Sequence, residues 1–119
     1  MIKTIMIIED DLETQLLFSE LLEAEGYSVL TKFNGVEALE YLEVNRSPDL
    51  IFMDLSFPGG TPEEFTEKLR ENPATSETPV ILVSGKADIA DYAKKLNATN
   101  YVRKPFEINP LIEMIHQTI

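Results

Sequence analysis

Short runs of apolar residues alternate with amphipathic stretches along the whole chain. Runs of this length that are apolar throughout are typical of strands covered on both faces of a sheet. The stretches between them have helical spacing, so the predicted order is βαβαβαβαβα. That order indicates the α/β class, a doubly wound parallel sheet flanked by helices. The five predicted strands cover residues 5–8, 27–33, 49–54, 80–83 and 99–102.

The first predicted helix spans residues 11–25 and ends at Gly26, because glycine is the common residue after a helix C-terminus. Its apolar residues recur at helical spacing and predict a stripe that faces the core. That stripe consists of Leu12, Leu16, Leu17, Leu21 and Leu22.

The clearest helix start is Thr61-Pro62-Glu63-Glu64, with a capping threonine, a proline at the first helical position and a glutamate at the third. Asn34 and Glu37 resemble a second capping box, a weaker helix covers residues 88–97, and Asn109-Pro110 opens the last helix. Core positions are predicted at Val36, Leu39, Leu42, Ile89, Ala93, Leu96, Leu111, Ile112 and Ile115, and packing roles at Phe18, Phe52, Met53 and Phe65.

Length and composition narrow the class of protein. The chain has 119 residues, of which 44% are hydrophobic, so we predict one domain over residues 1–119. Ten basic and 21 acidic residues give a net charge of −11, which argues against nucleic acid or an anionic membrane as a partner. The absence of cysteine and the single His116, expected at the surface, exclude disulfides, cysteine-based metal sites and multi-histidine sites. The first apolar run is too short for a signal peptide or membrane span, so we expect a soluble, cytoplasmic protein.

Charged and small polar residues follow the predicted strands, at the edge where parallel sheets bind ligands. Glu9 and Asp10 follow the first strand, and Asp54 ends the third. Ser84-Gly85 follows the fourth strand and Lys104-Pro105 follows the fifth. Asp11, the next acid after Asp10, is expected to cap the first helix.

The clustered carboxylates predict a site that needs a cation or must hold a proton. Three carboxylates about 5 Å apart repel by roughly 3 kcal/mol per pair at an effective dielectric near 20. Lys104 offers one charge, which is too little for Glu9, Asp10 and Asp54 together. Oxygen ligands suit Mg²⁺ or Ca²⁺, and we expect Mg²⁺, which one or two carboxylates with water and a phosphate typically hold. No glycine-rich nucleotide-binding motif of either common type is present.

The residues at the strand ends resemble the receiver domain of two-component response regulators. The resemblance is carried by IIEDD at residues 7–11, DLIFMDLSFPGG at 49–60, VSG at 83–85 and YVRKPF at 101–106. It covers the whole chain and implies a flavodoxin-like sheet with strand order 2-1-3-4-5. The implied function is a signalling switch that accepts a phosphoryl group from a histidine kinase or a histidine phosphotransfer protein. The implied catalysis is limited to its own phosphotransfer and dephosphorylation.

The resemblance also implies a role for each site residue. Asp54 would be the phosphoacceptor, and the Lys104–Pro105 bond is a candidate for the cis form. Downstream partners would bind helix four, strand five and helix five, while a kinase would dock on helix one. The implied Mg²⁺ ligands are Glu9, Asp10, Asp54 and the Ser56 carbonyl; the implied phosphoryl-binding and switch residues are Ser84, Gly85, Lys104 and Tyr101; the implied docking residues are Leu12, Leu16 and Phe18.

One departure from the family pattern keeps alternatives open. Thr61-Pro62 stands where the family usually has Asp-Gly, so a receiver-like module that acts without phosphorylation remains an alternative. A Mg²⁺-dependent aspartyl phosphohydrolase would usually carry a second aspartate at the place of Ser56. An FMN-binding protein would need a phosphate-binding loop where Glu9 and Asp10 would repel phosphate.

Overall fold

The computed structural model describes residues 1–56 and 60–119. In these residues all strand pairs are parallel, and the sheet has the order β2-β1-β3-β4-β5. The predicted fold class, element order and strand order are confirmed. None of the helices in these ranges is long and apolar enough to cross a membrane. The strands are β1 (Thr4–Ile8), β2 (Ser28–Lys32), β3 (Leu50–Asp54), β4 (Val80–Ser84) and β5 (Asn100–Arg103), and the helices are α1 (Leu12–Ala24), α2 (Gly35–Val44), α3 (Pro62–Glu71), α4 (Ile89–Lys95) and α5 (Ile108–Thr118).

The sheet separates two hydrophobic cores, because successive side chains of each strand point to opposite faces. On one face α1 and α5 pack against alternate residues of β1, β3 and β4, with Phe52 among the fully buried side chains. On the other face α2, α3 and α4 pack against the remaining residues, including Met53. β1, β3 and β4 are therefore apolar on both faces, which accounts for the uninterrupted runs in the sequence.

The predicted helix caps are present at four boundaries. At the start of α1, the Asp11 carboxylate accepts a hydrogen bond from the Thr14 backbone N–H at 3.1 Å. Asn34 Oδ1 accepts a hydrogen bond from the Glu37 backbone N–H at 2.9 Å, and Thr61 Oγ1 accepts one from Glu64 at 3.1 Å. Gly26, at φ +93°, follows the end of α1 in a conformation that favours glycine.

The start of the last helix is corrected by one residue. α5 begins at Ile108 with Glu107 at the cap position, so Asn109 lies inside the helix. Pro110 is accommodated because the N–H groups of the first turn have no partner within the helix.

The leucine stripe predicted for α1 is wrong at three of its five positions, whereas Leu22 is buried as predicted and Leu21 is partly buried. Leu12, Leu16 and Leu17 are more than half exposed, whereas Gln15, Phe18 and Leu22 are the buried residues of the helix. Both sets have helical spacing, and packing against the sheet selects the set that contains Phe18. The ring of Phe18 lies edge-on to Phe52 at 4.9 Å between centroids. Val36 of α2 is also half exposed, contrary to its predicted place in the core.

The observed packing of α1 predicts that replacing two leucines of the same helix lowers the stability of the protein by very different amounts. Leu22→Ala should destabilise the protein by about 2–5 kcal/mol because it leaves a cavity in a packed core. Leu17→Ala, the matched control on the exposed face, should change stability by less than about 0.5 kcal/mol. Urea unfolding of both variants measures the difference, and equal losses would contradict the observed orientation of α1.

Candidate functional site

Two buried carboxylates meet at the carboxyl ends of the central strands, where the strand order reverses. Ile8 of β1 is in register with Met53 of β3, so the next residues, Glu9 and Asp54, are neighbours. Their exposed fractions are only 4% and 7%. This position between β1 and β3 is the topological switch point, at which doubly wound sheets bind their ligands.

Lys104 lies between the two carboxylates. Its Nζ is 2.6 Å from Asp54 Oδ2, a hydrogen-bonded ion pair, and 3.5 Å from Glu9 Oε1. The Lys104 backbone N–H donates to the Ser84 carbonyl at 2.9 Å, which anchors the residue beyond the end of β5. The Lys104–Pro105 peptide bond is cis. The Lys104 ammonium therefore forms ion pairs with two buried carboxylates.

The surroundings shift the pKa of Glu9 and of Lys104 upward. Burial is the main cause at Glu9, where apolar side chains such as Phe18 and Phe52 line the same space; the Asp54 charge adds to it and Lys104 opposes it. Together with a hydrogen bond to Asp10, these effects raise the pKa of Glu9 from 4.5 to about 7. Burial lowers the pKa of Lys104, but the hydrogen bond and charge of Asp54 and the charge of Glu9 outweigh it.

Asp10 and Ser56 lie on the solvent side of the buried carboxylates. Both residues are exposed, and the Ser56 backbone N–H donates to Asp54 Oδ1 at 2.7 Å. Across residues 1–56 and 60–119, no three acidic, histidine or cysteine side chains are grouped closely enough to hold a metal by themselves. Mg²⁺ does not require such a group, since it usually takes one or two carboxylates and completes its coordination with water. The hard oxygen donors at this edge and their uncompensated negative charge fit Mg²⁺.

Ser84 ends β4 and Gly85 follows it, whereas Tyr101 is the second residue of β5 and is in register with Leu82 of β4. The buried Ser84 hydroxyl accepts a hydrogen bond from the Lys86 backbone N–H at 3.1 Å. A Cβ at the exposed Gly85 would meet only the Lys104 Cβ at 3.9 Å, an ordinary contact, so packing within the protein does not require glycine there. Tyr101 is 38% exposed and borders a surface groove of about 330 Å³ that Phe106 also lines.

The residue that sequence reasoning missed is Gln15. Its side-chain Nε2 donates to the Glu9 carbonyl at 3.3 Å and to the Lys32 carbonyl at 3.2 Å. A signal for it exists in the sequence, because Gln15 precedes Phe18 by three residues and Leu22 by seven and therefore shares their helix face. The more numerous leucines on the other faces obscured that pattern.

The comparison with known proteins identifies the family. The family model of the response regulator receiver domain matches residues 5–116 of this chain. The polar-differentiation response regulator DivK of Brucella anthropi is 35% identical over 115 residues, which are 95% of this chain and 93% of that protein. The chain therefore belongs to the response regulator receiver domain family of two-component signalling.

Two solved structures resemble the fold over almost its full length. Chemotaxis response regulator CheY4 of Vibrio cholerae has a TM-score of 0.90 at 24% identity and covers 100% of both chains. Response regulator TrrA of Thermotoga maritima, solved in complex with Mg²⁺–BeF, has a TM-score of 0.86 at 26% identity and covers 99% of this chain and 100% of its own.

The raised pKa of Glu9 predicts a pH-dependent stability in the absence of metal ions. Folding favours the protonated Glu9 carboxyl. The contribution of this group to the free energy of unfolding is therefore complete below about pH 4.5 and is lost as the pH rises through about 7. Glu9→Gln stays neutral and should be more stable than the wild type at about pH 8, by up to roughly 3 kcal/mol, with the difference shrinking toward acid pH.

Urea unfolding in the presence of EDTA, between about pH 5 and about pH 8, measures this difference. Glu13→Gln, an exposed acid on α1, is the matched control. A stability gain for Glu9→Gln that does not vary with pH would contradict the assignment.

Proposed function

We propose that this chain is a switch that accepts a phosphoryl group on Asp54 with Mg²⁺ from the phosphohistidine of a histidine kinase or a phosphotransfer protein. The observation that carries the proposal is the Lys104 ammonium 2.6 Å from Asp54 and 3.5 Å from Glu9 at the switch point of the sheet. Membership in the receiver family and the Mg²⁺–BeF complex of TrrA support it. The chain's own catalysis is limited to this transfer and to the later hydrolysis.

In the transfer step, a carboxylate oxygen of Asp54 forms a bond to phosphorus while the bond from phosphorus to the histidine nitrogen breaks. The Ser56 N–H and the Lys104 ammonium hold Asp54 by its two oxygens and so orient the carboxylate. The protein mainly positions and neutralises the reacting groups, as a loose phosphoryl-transfer transition state requires. The product is an acyl phosphate, which water later hydrolyses.

Mg²⁺ would be held by Glu9, Asp10, Asp54 and the Ser56 carbonyl. When bound, the ion offsets the charge of the phosphoryl oxygens. Lys104 supplies the protein's own share of that neutralisation, because its ammonium already faces the acceptor carboxylate. The raised pKa of Lys104 keeps it charged for this role.

The response to phosphorylation would begin at Ser84. Its hydroxyl accepts a bond from the Lys86 N–H and can still donate its proton to a phosphoryl oxygen. Backbone N–H groups near Gly85 would donate to the same oxygens. Movement of Ser84 and Tyr101 would then bias the surface of α4, β5 and α5, which we propose as the binding site for a downstream protein.

The docking side for the phosphodonor is proposed on α1. Leu12 and Leu16 are exposed there and suit a protein contact. Phe18, which was predicted to join them, is buried against Phe52 and Phe106, so it has no part in docking. With a net charge of −11, neither nucleic acid nor a membrane is proposed as a partner of this domain.

The Thr61-Pro62 departure is compatible with this function. Thr61 caps α3 and Pro62 is its first residue, so the substitution retains a regular helix start. Residues 57–59, which include Pro58 and Gly59 of the quoted family pattern, lie outside the described residues.

Replacing the acceptor gives the decisive prediction. With acetyl phosphate and Mg²⁺, intact-mass spectrometry should show one added phosphoryl group on the wild type and none on Asp54→Asn. The control is Asp49→Asn, which replaces the acid just before β3. Asp49 accepts a hydrogen bond from the Thr4 N–H, and the side-chain oxygen of asparagine can accept the same bond. This variant should be phosphorylated like the wild type.

Two other outcomes would change the conclusion. Phosphorylation of Asp54→Asn at the wild-type rate would assign the acceptor to another residue. A wild type that takes up no phosphoryl group and binds no beryllofluoride would favour the phosphorylation-independent module.

Loss of the Lys104 charge should slow phosphorylation without removing the acceptor. Lys104→Gln should lower the rate of phosphorylation by acetyl phosphate by roughly one to two orders of magnitude, because one preorganised charge next to the reacting oxygens is lost. Lys95→Gln removes an exposed charge on α4 and should leave the rate unchanged. Mass spectrometry of samples quenched at successive times, at saturating Mg²⁺, measures the rate for each variant. A wild-type rate in Lys104→Gln would remove Lys104 from the mechanism.

A further inference from the structure

Gln15 connects α1 to the carboxyl ends of two strands. We propose that it is a positioning residue that sets the Mg²⁺ affinity of the site by fixing the peptide between Glu9 and Asp10. The inference rests on the proposed function, since it concerns the metal ligands named there.

The contacts of Gln15 converge on the acid pair. Its Nε2 donates to the Glu9 carbonyl at 3.3 Å and to the Lys32 carbonyl at 3.2 Å. The Glu9 N–H also donates to the Lys32 carbonyl, at 3.0 Å. The carbonyl and the N–H of Glu9 are thus both held, one by a side chain of α1 and the other by the end of β2.

The same helix turn holds the residue that follows the acid pair. The Gln15 backbone N–H donates to the Asp11 carbonyl at 3.0 Å, and the Asp11 carboxylate accepts the Thr14 N–H at 3.1 Å. Asp10 lies between these anchored residues and is itself exposed. The Gln15 side chain fixes the peptide on the N-terminal side of Asp10, and its backbone fixes the peptide after Asp11.

Burying the side-chain amide of Gln15 under α1 costs free energy unless the amide forms hydrogen bonds. Gln15 is 4% exposed and shares the inward face of α1 with the apolar residues Phe18 and Leu22. A buried amide is tolerated when its polar groups are hydrogen-bonded. Here the Gln15 Nε2 donates two hydrogen bonds, to the backbone carbonyls of Glu9 and Lys32 at the strand ends. The amide therefore links α1 to the strand ends as an apolar residue could not.

Fixing this peptide favours metal binding because the acidic side chains repel one another. A turn held in one conformation keeps the Glu9 and Asp10 carboxylates near their binding positions before the ion arrives. Residues that orient metal ligands in this way typically change metal affinity by about 10–100-fold when they are replaced. Asp54 and Lys104 belong to other strand ends, so Gln15 should affect binding of the ion more than the transfer step.

A Mg²⁺ titration followed by two-dimensional NMR tests the inference. The chain has no tryptophan, so the amide signals near the acid pair report binding, and the same spectra show whether each variant is folded. Gln15→Met keeps the length of the side chain without its donor, and Gln15→Asn keeps the amide but is too short to reach both carbonyls. We expect the Kd for Mg²⁺ to rise about tenfold or more in each variant.

The matched control removes a similar bond far from the acids. Thr75 is buried between α3 and β4, and its Oγ1 donates to the Leu69 carbonyl at 2.6 Å. Thr75→Val should lower stability but leave the Kd for Mg²⁺ unchanged. At saturating Mg²⁺ the rate of Asp54 phosphorylation in Gln15→Met should stay within roughly threefold of the wild type, which separates ion binding from chemistry.

Each remaining outcome has a distinct meaning. A wild-type Kd in both Gln15 variants, or an equal loss of affinity in Thr75→Val, would overturn the positioning role and leave the proposed function intact. A wild type without saturable Mg²⁺ binding would overturn the metal part of the proposed function and this inference with it. If Gln15→Met does not fold, Gln15→Asn decides.

Discussion

The ion pair between Lys104 and Asp54, with Glu9 beside it, is the interaction on which the rest of the site depends. The carboxylates of Glu9 and Asp54 are almost buried, and the Lys104 ammonium opposes their mutual repulsion. The remaining negative charge is met by a proton, which the raised pKa of Glu9 reflects, or by a cation. Because ligand carboxyls must lose their protons to bind a metal, a proton and the proposed Mg²⁺ would compete for the same oxygens.

The fold makes this arrangement possible by holding the strand ends rigidly. β1, β3 and β4 are packed on both faces, so their carboxyl ends have little freedom to separate under repulsion. The register that places Ile8 beside Met53 also places Glu9 beside Asp54. A charged site on such a frame is held in position before any ligand arrives, and this reduces the reorganisation that binding and transfer require.

The helices contribute unequally to the site. α1 supplies a buried amide and the Phe18 ring, which stacks on Phe106 at 5.3 Å just beyond Lys104-Pro105. The helix that we propose as the docking side for the phosphodonor thus also contacts the segment that carries Lys104. α2, α3 and α4 build the opposite core, and the α4 side holds Ser84 through the Lys86 N–H. On the docking surfaces that we propose, the phosphodonor and the downstream partner would bind different helices around one set of strand ends.

The sequence by itself determined the elements, the caps at Asp11, Asn34 and Thr61, and the residues that follow each strand. Apolar runs and capping residues act locally, so their signals are readable without the fold, and the resemblance to receiver domains rested on residues at those strand ends. The tertiary structure alone decided which face of α1 is buried, because the leucine stripe and the Gln15-Phe18-Leu22 stripe have the same period. It also decided the contact between Asp54 and Lys104, which are 50 residues apart, since their distance depends on strand order and register. The contacts of Gln15 were decided in the same way, because its amide links α1 to two strand ends only when packing brings their carbonyls within reach.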